Sequence, residues 1–133
     1  MKKMNKRDNI LRIDLDIKTK RKAIEHLKER LNYLIHLNWF KMDTILKVEL
    51  NKKKTYGCKI YLSKYVSIDY MFKTQLLLGS DYKKECCAMI NYYKLGMTHY
   101  FDRLFEHKRY PNGKFKHSKL MDVTNEIFEN EKN

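Results

Sequence analysis

The 133-residue sequence predicts a single α+β domain built on an antiparallel sheet. Three observations lead there. Residues 10–17, 44–50 and 56–62 alternate apolar and polar side chains with the period of two that a half-buried strand requires. Residues 19–37, between the first two, carry an apolar stripe at helical spacing. Two further helical segments follow the third strand. No internal repeat and no Pro/Gly/Ser-rich linker divides the chain. Residues 1–9 therefore read as a basic N-terminal tail, expected to be mobile, and residues 10–133 as one domain.

In the first strand, Leu11, Ile13, Leu15 and Ile17 form the apolar face, and Arg12, Asp14 and Asp16 the polar one. In the helix after it, Ile24, Leu27, Leu31 and Leu34 fall on one stripe. Lys20, Lys22, Glu25, Lys28, Glu29 and Arg30 occupy much of the rest. The second strand buries Leu46, Val48 and Leu50, and the third Cys58, Ile60 and Leu62. The basic connection Asn51–Thr55, containing Lys52, Lys53 and Lys54, suits a hairpin between them.

Ser67 is a natural N-cap for a helix over 67–78 that turns Ile68, Met71, Phe72 and Gln75 or Leu76 inward. Gly79 can end that helix in the left-handed region, and Ser80 or Asp81 can cap the next. That next helix, 82–95, is expected to present Cys86, Met89, Ile90 and Tyr93 on one side, with Gly96 after it. Residues 104–110 are expected to be a strand followed by a Pro111–Gly113 turn, with 114–118 pairing back across it. A short helix using Val123, Ile127 and Phe128 closes the chain.

The order β-α-β-β-α(α)-β, plus a terminal hairpin or helix, is that of ferredoxin-like and RNA-recognition-type folds. In that topology the first and third strands lie side by side at the sheet centre. Helices cover one face, and the other is open to ligands.

Composition narrows the function. Lys and Arg total 29 against 16 Asp and Glu, a formal net charge of +13. Such an excess opposes compaction and attracts polyanions, of which nucleic acid is the commonest in a cell. An acidic protein partner would also satisfy it. Three cysteines (Cys58, Cys86, Cys87) without a CxxC pair, and an N-terminus without a secretory apolar run, point to reduced thiols and a cytoplasmic setting. No stretch has the length and apolarity of a membrane span. No H-x-H, HExxH, Gly-rich phosphate loop or serine-nucleophile motif is present.

The candidate chemistry lies on the expected open sheet face. Strand one displays Arg12, Asp14 and Asp16, strand three Gly57, Lys59 and Tyr61, and strand two Lys47 and Glu49. Carboxylates at i and i+2 on a regular strand point the same way, roughly 7 Å apart by strand rise. Asp14 and Asp16 so placed can share Mg²⁺, which prefers oxygen ligands, and align a phosphoryl transfer. The same pair can instead form cross-strand ion pairs with Lys59 on a solvated face. For nucleic acid, the candidate contacts are Arg12, Lys52, Lys53, Lys54 and Lys59 to phosphates, with Tyr56 and Tyr61 as stacking rings.

The segment Ile13–Asp16 resembles the acidic strand motif of the archaeo-eukaryotic primase superfamily. Lys54–Tyr61 resembles that superfamily's Ser/Gly-rich turn leading into a strand. The resemblance spans roughly residues 10–108. It implies a palm-type fold in which the acidic pair binds divalent metal and a histidine in the second motif contacts the nucleotide phosphate. Lys59 stands where that histidine is expected, and the third carboxylate has only Asp81 and Asp102 as candidates. The resemblance therefore implies a non-catalytic, palm-like nucleic-acid-binding protein; a metal-dependent nucleotidyltransferase using Asp14 and Asp16 is the alternative. Residues 77–81 and 104–108 look like segments of small uncharacterised proteins of archaeal plasmids and viruses. A third reading keeps the fold and makes the chain an accessory or inhibitor protein, with Tyr82, Tyr92, Tyr93, Tyr100 and Phe101 as an aromatic interface.

Overall fold

In the computed structural model, which describes residues 7–52, 54–95, 107–109, 115–117 and 120–128, the period-two segments form strands and the period-3.6 segments helices. The order is β1 (Arg7–Ile17), α1 (Lys20–His36), a 3-10 turn (Met42–Thr44), β2 (Ile45–Lys52), β3 (Tyr56–Ser67), α2 (Ile68–Leu77), α3 (Tyr82–Leu95), β4 (His107–Arg109), β5 (Phe115–His117), β6 (Leu120–Asp122) and α4 (Thr124–Ile127). Four strands make one antiparallel sheet in the order β1-β3-β2-β6, and β4 pairs with β5 in a second, two-stranded sheet.

The expected helix ends are built as their residues dictate. Thr19 Oγ1 accepts from the Lys22 amide (3.3 Å) and Ser67 Oγ from the Tyr70 amide (3.2 Å), satisfying donors that a helix N-terminus leaves free. Gly79 has φ +91°, and the Ser80 amide reaches back to the Gln75 carbonyl, which closes α2 as the left-handed C-terminal motif does. Asn38, at φ 66°, does the same after α1.

One face of the sheet is apolar. Leu11, Ile13 and Leu15 of β1, Cys58, Ile60 and Leu62 of β3, and Val48 and Leu50 of β2 are buried in one core with Ala23, Leu27, Leu31 and Leu34 of α1 and Ile68, Met71 and Phe72 of α2. Each large side chain in this set contributes roughly 1.5–3 kcal/mol by leaving water. Leu46, expected inside, is 61% exposed because a register irregularity between Ile45 and Lys47 turns it out of the alternation.

The sheet order departs from the ferredoxin-like one at its last strand. β1, β3 and β2 stand in the expected succession, but β6 adds beside β2 rather than β1, pairing Glu49 with Asp122 and Asn51 with Leu120. Of the expected strand 104–110 only 107–109 are described, and they pair with β5. Among the described residues β1 is thus an edge strand, not a central one. Its outer edge is not bare. The Arg12 amide donates to Gln75 Oε1 (2.9 Å) and the Asp14 amide to Ser80 Oγ (3.0 Å). The Arg12 carbonyl accepts from Lys84 Nζ (2.8 Å) and the Asp14 carbonyl from the Asp81 amide (2.7 Å). The α2–α3 junction therefore supplies the hydrogen bonds that a neighbouring strand would have supplied, and closes the edge to strand pairing.

This junction also fixes α3. Asp81 is its N-cap, accepting from the Lys84 amide (3.1 Å). The buried side of α3 is Lys84, Glu85, Ala88 and Tyr92, whereas Ile90 and Tyr93, expected together on one side with Cys86 and Met89, are more than half exposed. The helix is rotated from its apolar stripe because Lys84 and Glu85 form a buried ion pair (2.9 Å), and Gln75 Nε2 donates to both Glu85 oxygens (2.9 and 3.1 Å). No helix among the described residues is long and apolar enough to cross a membrane.

Candidate nucleic-acid interface

The polar sheet face, on which the site is expected, is largely occupied by its own pairings. Across the strands, Arg12 stands opposite Lys59, Lys59 opposite Glu49, and Glu49 opposite Asp122. Tyr61 Oη donates to Glu49 Oε1 (2.9 Å), and Lys47 Nζ lies 3.0 Å from Glu49 Oε2 and 5.0 Å from the centre of the Tyr61 ring. Arg12, Glu49 and Asn51 are each less than a tenth exposed. Gly57 lets Asn51 approach: a Cβ there would lie 2.7 Å from Asn51 Oδ1. Arg12, offered from the sequence as a phosphate contact, is thus buried, with Nη1 directed at the Ile10 carbonyl (3.5 Å). Tyr56, offered as a stacking ring, is buried in the core, and Tyr61 is half-buried with its hydroxyl committed to Glu49.

The acidic pair departs from the regular strand geometry that put both carboxylates on one side. Asp14 pairs with Gly57 and Ile17 with Tyr56, so two residues of β1 are inserted against consecutive residues of β3. Asp16 sits in this bulge at φ 56°, a conformation that aspartate tolerates better than most side chains. Asp16 is exposed and Asp14 half-buried. Among the described residues no group of three or more His, Cys, Asp or Glu side chains is placed to hold a metal ion. Asp81, a candidate third carboxylate, caps α3, and Asp102 lies outside the described residues.

The basic side chains converge elsewhere. At the end of the sheet where β1 finishes, Ile17 stands opposite Tyr56 and Tyr56 opposite Lys52. The β1–α1 junction and the β2–β3 hairpin therefore sit side by side, with Ile17 and Lys52 about 10 Å apart by two strand spacings. The junction contributes Lys18, Lys20, Arg21 and Lys22, and the hairpin Lys52 and Lys54; all are exposed. Lys53 lies outside the described residues. Among the described residues, the one ion pair within this set is Arg21–Glu25 at 3.7 Å, with both side chains mostly in water, where it contributes little. Lys52 Nζ rests 5.1 Å from the centre of the Tyr56 ring, which steadies the hairpin lysine over the core.

The first turn of α1 holds no acidic residue and carries Lys20, Arg21 and Lys22. Cations at the positive end of a helix dipole oppose the helix, and an anion there would be favoured by both the dipole and the lysines. Sequence reading picked out Lys52–Lys54 but counted Lys20 and Lys22 only as a solvated helix face. The available signal was the missing carboxylate in that first turn. Two further titratable groups serve structure. His26 Nε2–H donates to the Leu78 carbonyl (2.8 Å), and burial pushes the Cys58 thiol far up from its ordinary range.

The aromatic interface considered from the sequence is divided. Tyr82 and Tyr93 are exposed, Tyr92 is buried with its ring edge-on to Phe72 (6.0 Å), and Tyr100 and Phe101 lie outside the described residues. No family model, curated protein or solved structure matches the chain.

Proposed function

We propose that this chain is a nucleic-acid-binding protein that grips the phosphate backbone with the basic end formed by the β1–α1 junction and the β2–β3 hairpin, and that it does not itself transfer phosphoryl groups. The observation that carries this reading is the convergence of Lys18, Lys20, Arg21, Lys22, Lys52 and Lys54 around the N-terminus of α1. Folding alone disfavours that arrangement, since it sets like charges together at the positive end of a helix. Phosphates reverse the sign of the effect by releasing condensed counterions. The succession β1-β3-β2 with α1 over the apolar face supports the ferredoxin-like and palm-like part of the reading. The bulge at Asp16 and the presence of Lys59 in place of a histidine support the non-catalytic part. DNA and RNA are equally served by this chemistry, in a cytoplasmic setting of viral or plasmid type.

The test is binding of labelled single- and double-stranded oligonucleotides over a range of salt concentrations. Affinity should fall linearly on a log–log plot. If Lys52 and Lys54 each neutralise a phosphate, the Lys52→Ala, Lys54→Ala variant should lower the duplex slope by about 1.8. Lys73→Ala, an exposed charge on α2, should leave it unchanged. Absence of binding at low salt would overturn the proposal. It would promote the second reading, a protein partner, which the exposed stripe of Tyr82, Ile90 and Tyr93 along α3 favours.

A further inference from the structure

At the opposite end of the sheet from the basic residues lies an open cleft of about 730 Å³ between the α1–β2 connection and the far end of β3. It is some six residues up β3 from the hairpin, about 20 Å by strand rise. Trp39, Tyr65 and Tyr70 line it together with Lys41 and Lys64. The Trp39 and Tyr70 rings are stacked, with centroids 5.2 Å apart and planes within 8°. Both rings are fixed by hydrogen bonds at their polar atoms: Trp39 Nε1 donates to Thr74 Oγ1 (2.8 Å) and Tyr70 Oη to the Trp39 carbonyl (2.8 Å). Thr74 Oγ1 in turn donates to the Tyr70 carbonyl (2.7 Å). With the polar atoms satisfied inside the protein, what the pair offers the cleft is flat, preorganised apolar surface. Tyr65 adds a ring that is 63% exposed. Lys41 and Lys64 are exposed cations on the same walls, against one carboxylate, Asp43.

We propose that this cleft binds a nucleotide unit, with its base against the exposed Tyr65 ring and the Trp39–Tyr70 floor and its phosphate at Lys41 and Lys64. The argument is one of complementary shape and charge. A planar heterocycle is the chemistry that fixed aromatic walls recognise without reading sequence. A phosphate attached to it answers the pair of ammonium groups. The unit can come from a free mononucleotide or from a base in a single strand. The site does not depend on the basic end, so either can fail without the other.

Trp39 is the only tryptophan of the chain, so its fluorescence reports on the cleft directly. The full-length protein would be titrated with AMP, with a short single-stranded oligonucleotide, and with ribose 5-phosphate as a ligand lacking the base. Saturable quenching by AMP or by the oligonucleotide, with none by ribose 5-phosphate, is the expected result; which of the two quenches identifies the source. Tyr65→Ala keeps the reporter and removes an exposed ring from the cleft, and should weaken the quenching ligand about tenfold or more, as expected for loss of a stacking aromatic. Lys52→Ala, Lys54→Ala should leave AMP quenching unchanged. Oligonucleotide binding seen by anisotropy without any change at Trp39 would overturn the cleft and leave the basic end standing. Quenching that ribose 5-phosphate reproduces, or that Tyr65→Ala does not weaken, would overturn it as well.

Discussion

Lys84→Met tests how the edge of β1 is closed. Lys84 Nζ is buried and joins three elements: it donates to the Arg12 carbonyl of β1 (2.8 Å), pairs with Glu85 of α3 (2.9 Å), and through Glu85 is tied to Gln75 of α2. Methionine keeps most of the volume and removes the charge. Glu85, fully buried, then keeps the amide of Gln75 and loses the ammonium. Stripping one partner from a buried pair costs about 3–5 kcal/mol. The Arg12 carbonyl loses a donor as well, an effect of about 1–3 kcal/mol that overlaps with the first because the same side chain supplies both. A domain of this size holds about 5–15 kcal/mol in reserve, so the variant should remain folded but fragile. Urea denaturation followed by circular dichroism should show its midpoint lowered by at least about 1 M. Lys83→Met, at the exposed neighbouring position, should cost under about 0.5 kcal/mol. Adding Glu85→Gln to Lys84→Met removes the buried negative charge, so the double variant should be destabilised by at least about 1 kcal/mol less than the two single changes together. A Lys84→Met cost indistinguishable from that of Lys83→Met, or single effects that simply add, would refute the account of a buried, coupled edge.

Three further outcomes are expected. Asp14→Asn with Asp16→Asn should tighten nucleic-acid binding at low salt, because Asp16 is an exposed acid beside the basic end, and neither this variant nor the parent should extend a primer with Mg²⁺ or Mn²⁺; extension by the parent alone would make the acidic pair an active site. Gly79→Ala should lower stability by about 1–2 kcal/mol for the left-handed backbone alone, and more because the new Cβ would lie 2.6 Å from His26 Nε2, a ring held by the Leu78 carbonyl; thermal unfolding checks it, and an unchanged midpoint would contradict it. The Thr124 hydroxyl and amide hold the Asp122 carboxyl below its usual range. A depressed acid stabilises the fold above its unfolded pKa of about 3.9 and loses that contribution as pH falls through the folded value. Thr124→Val should therefore weaken the steepening of acid unfolding expected of the parent below about pH 4, with a small effect because Asp122 is exposed.

The sequence by itself determined the elements and most of their ends. Period-two alternation placed β1, β2 and β3, the stripe through Leu27, Leu31 and Leu34 placed α1, and Thr19, Ser67 and Gly79 marked its start and the two ends of α2, since each of these signals acts within a few residues of chain. It also determined the charge, and with it the class of ligand to look for. Tertiary structure alone decided which strand lies at the edge, which side of α3 is buried, and where the cations meet. The apolar pattern of α3 could not foretell a helix seated on Lys84 and Glu85, because their burial is tolerable only with the Arg12 carbonyl and Gln75 brought from elsewhere in the chain. The fourth position beside β1 went to the α2–α3 junction because Gln75, Ser80, Asp81 and Lys84 satisfy the strand's backbone there, a match between distant residues that no local period records. Lys18–Lys22 and Lys52–Lys54 are separated by thirty residues and joined by the register Ile17–Tyr56–Lys52. That register depends on the two-residue bulge at Asp16. A bulge displaces side chains without interrupting the apolar alternation that precedes it, and for that reason the sequence placed Asp14 and Asp16 in a regular geometry that the folded strand does not have.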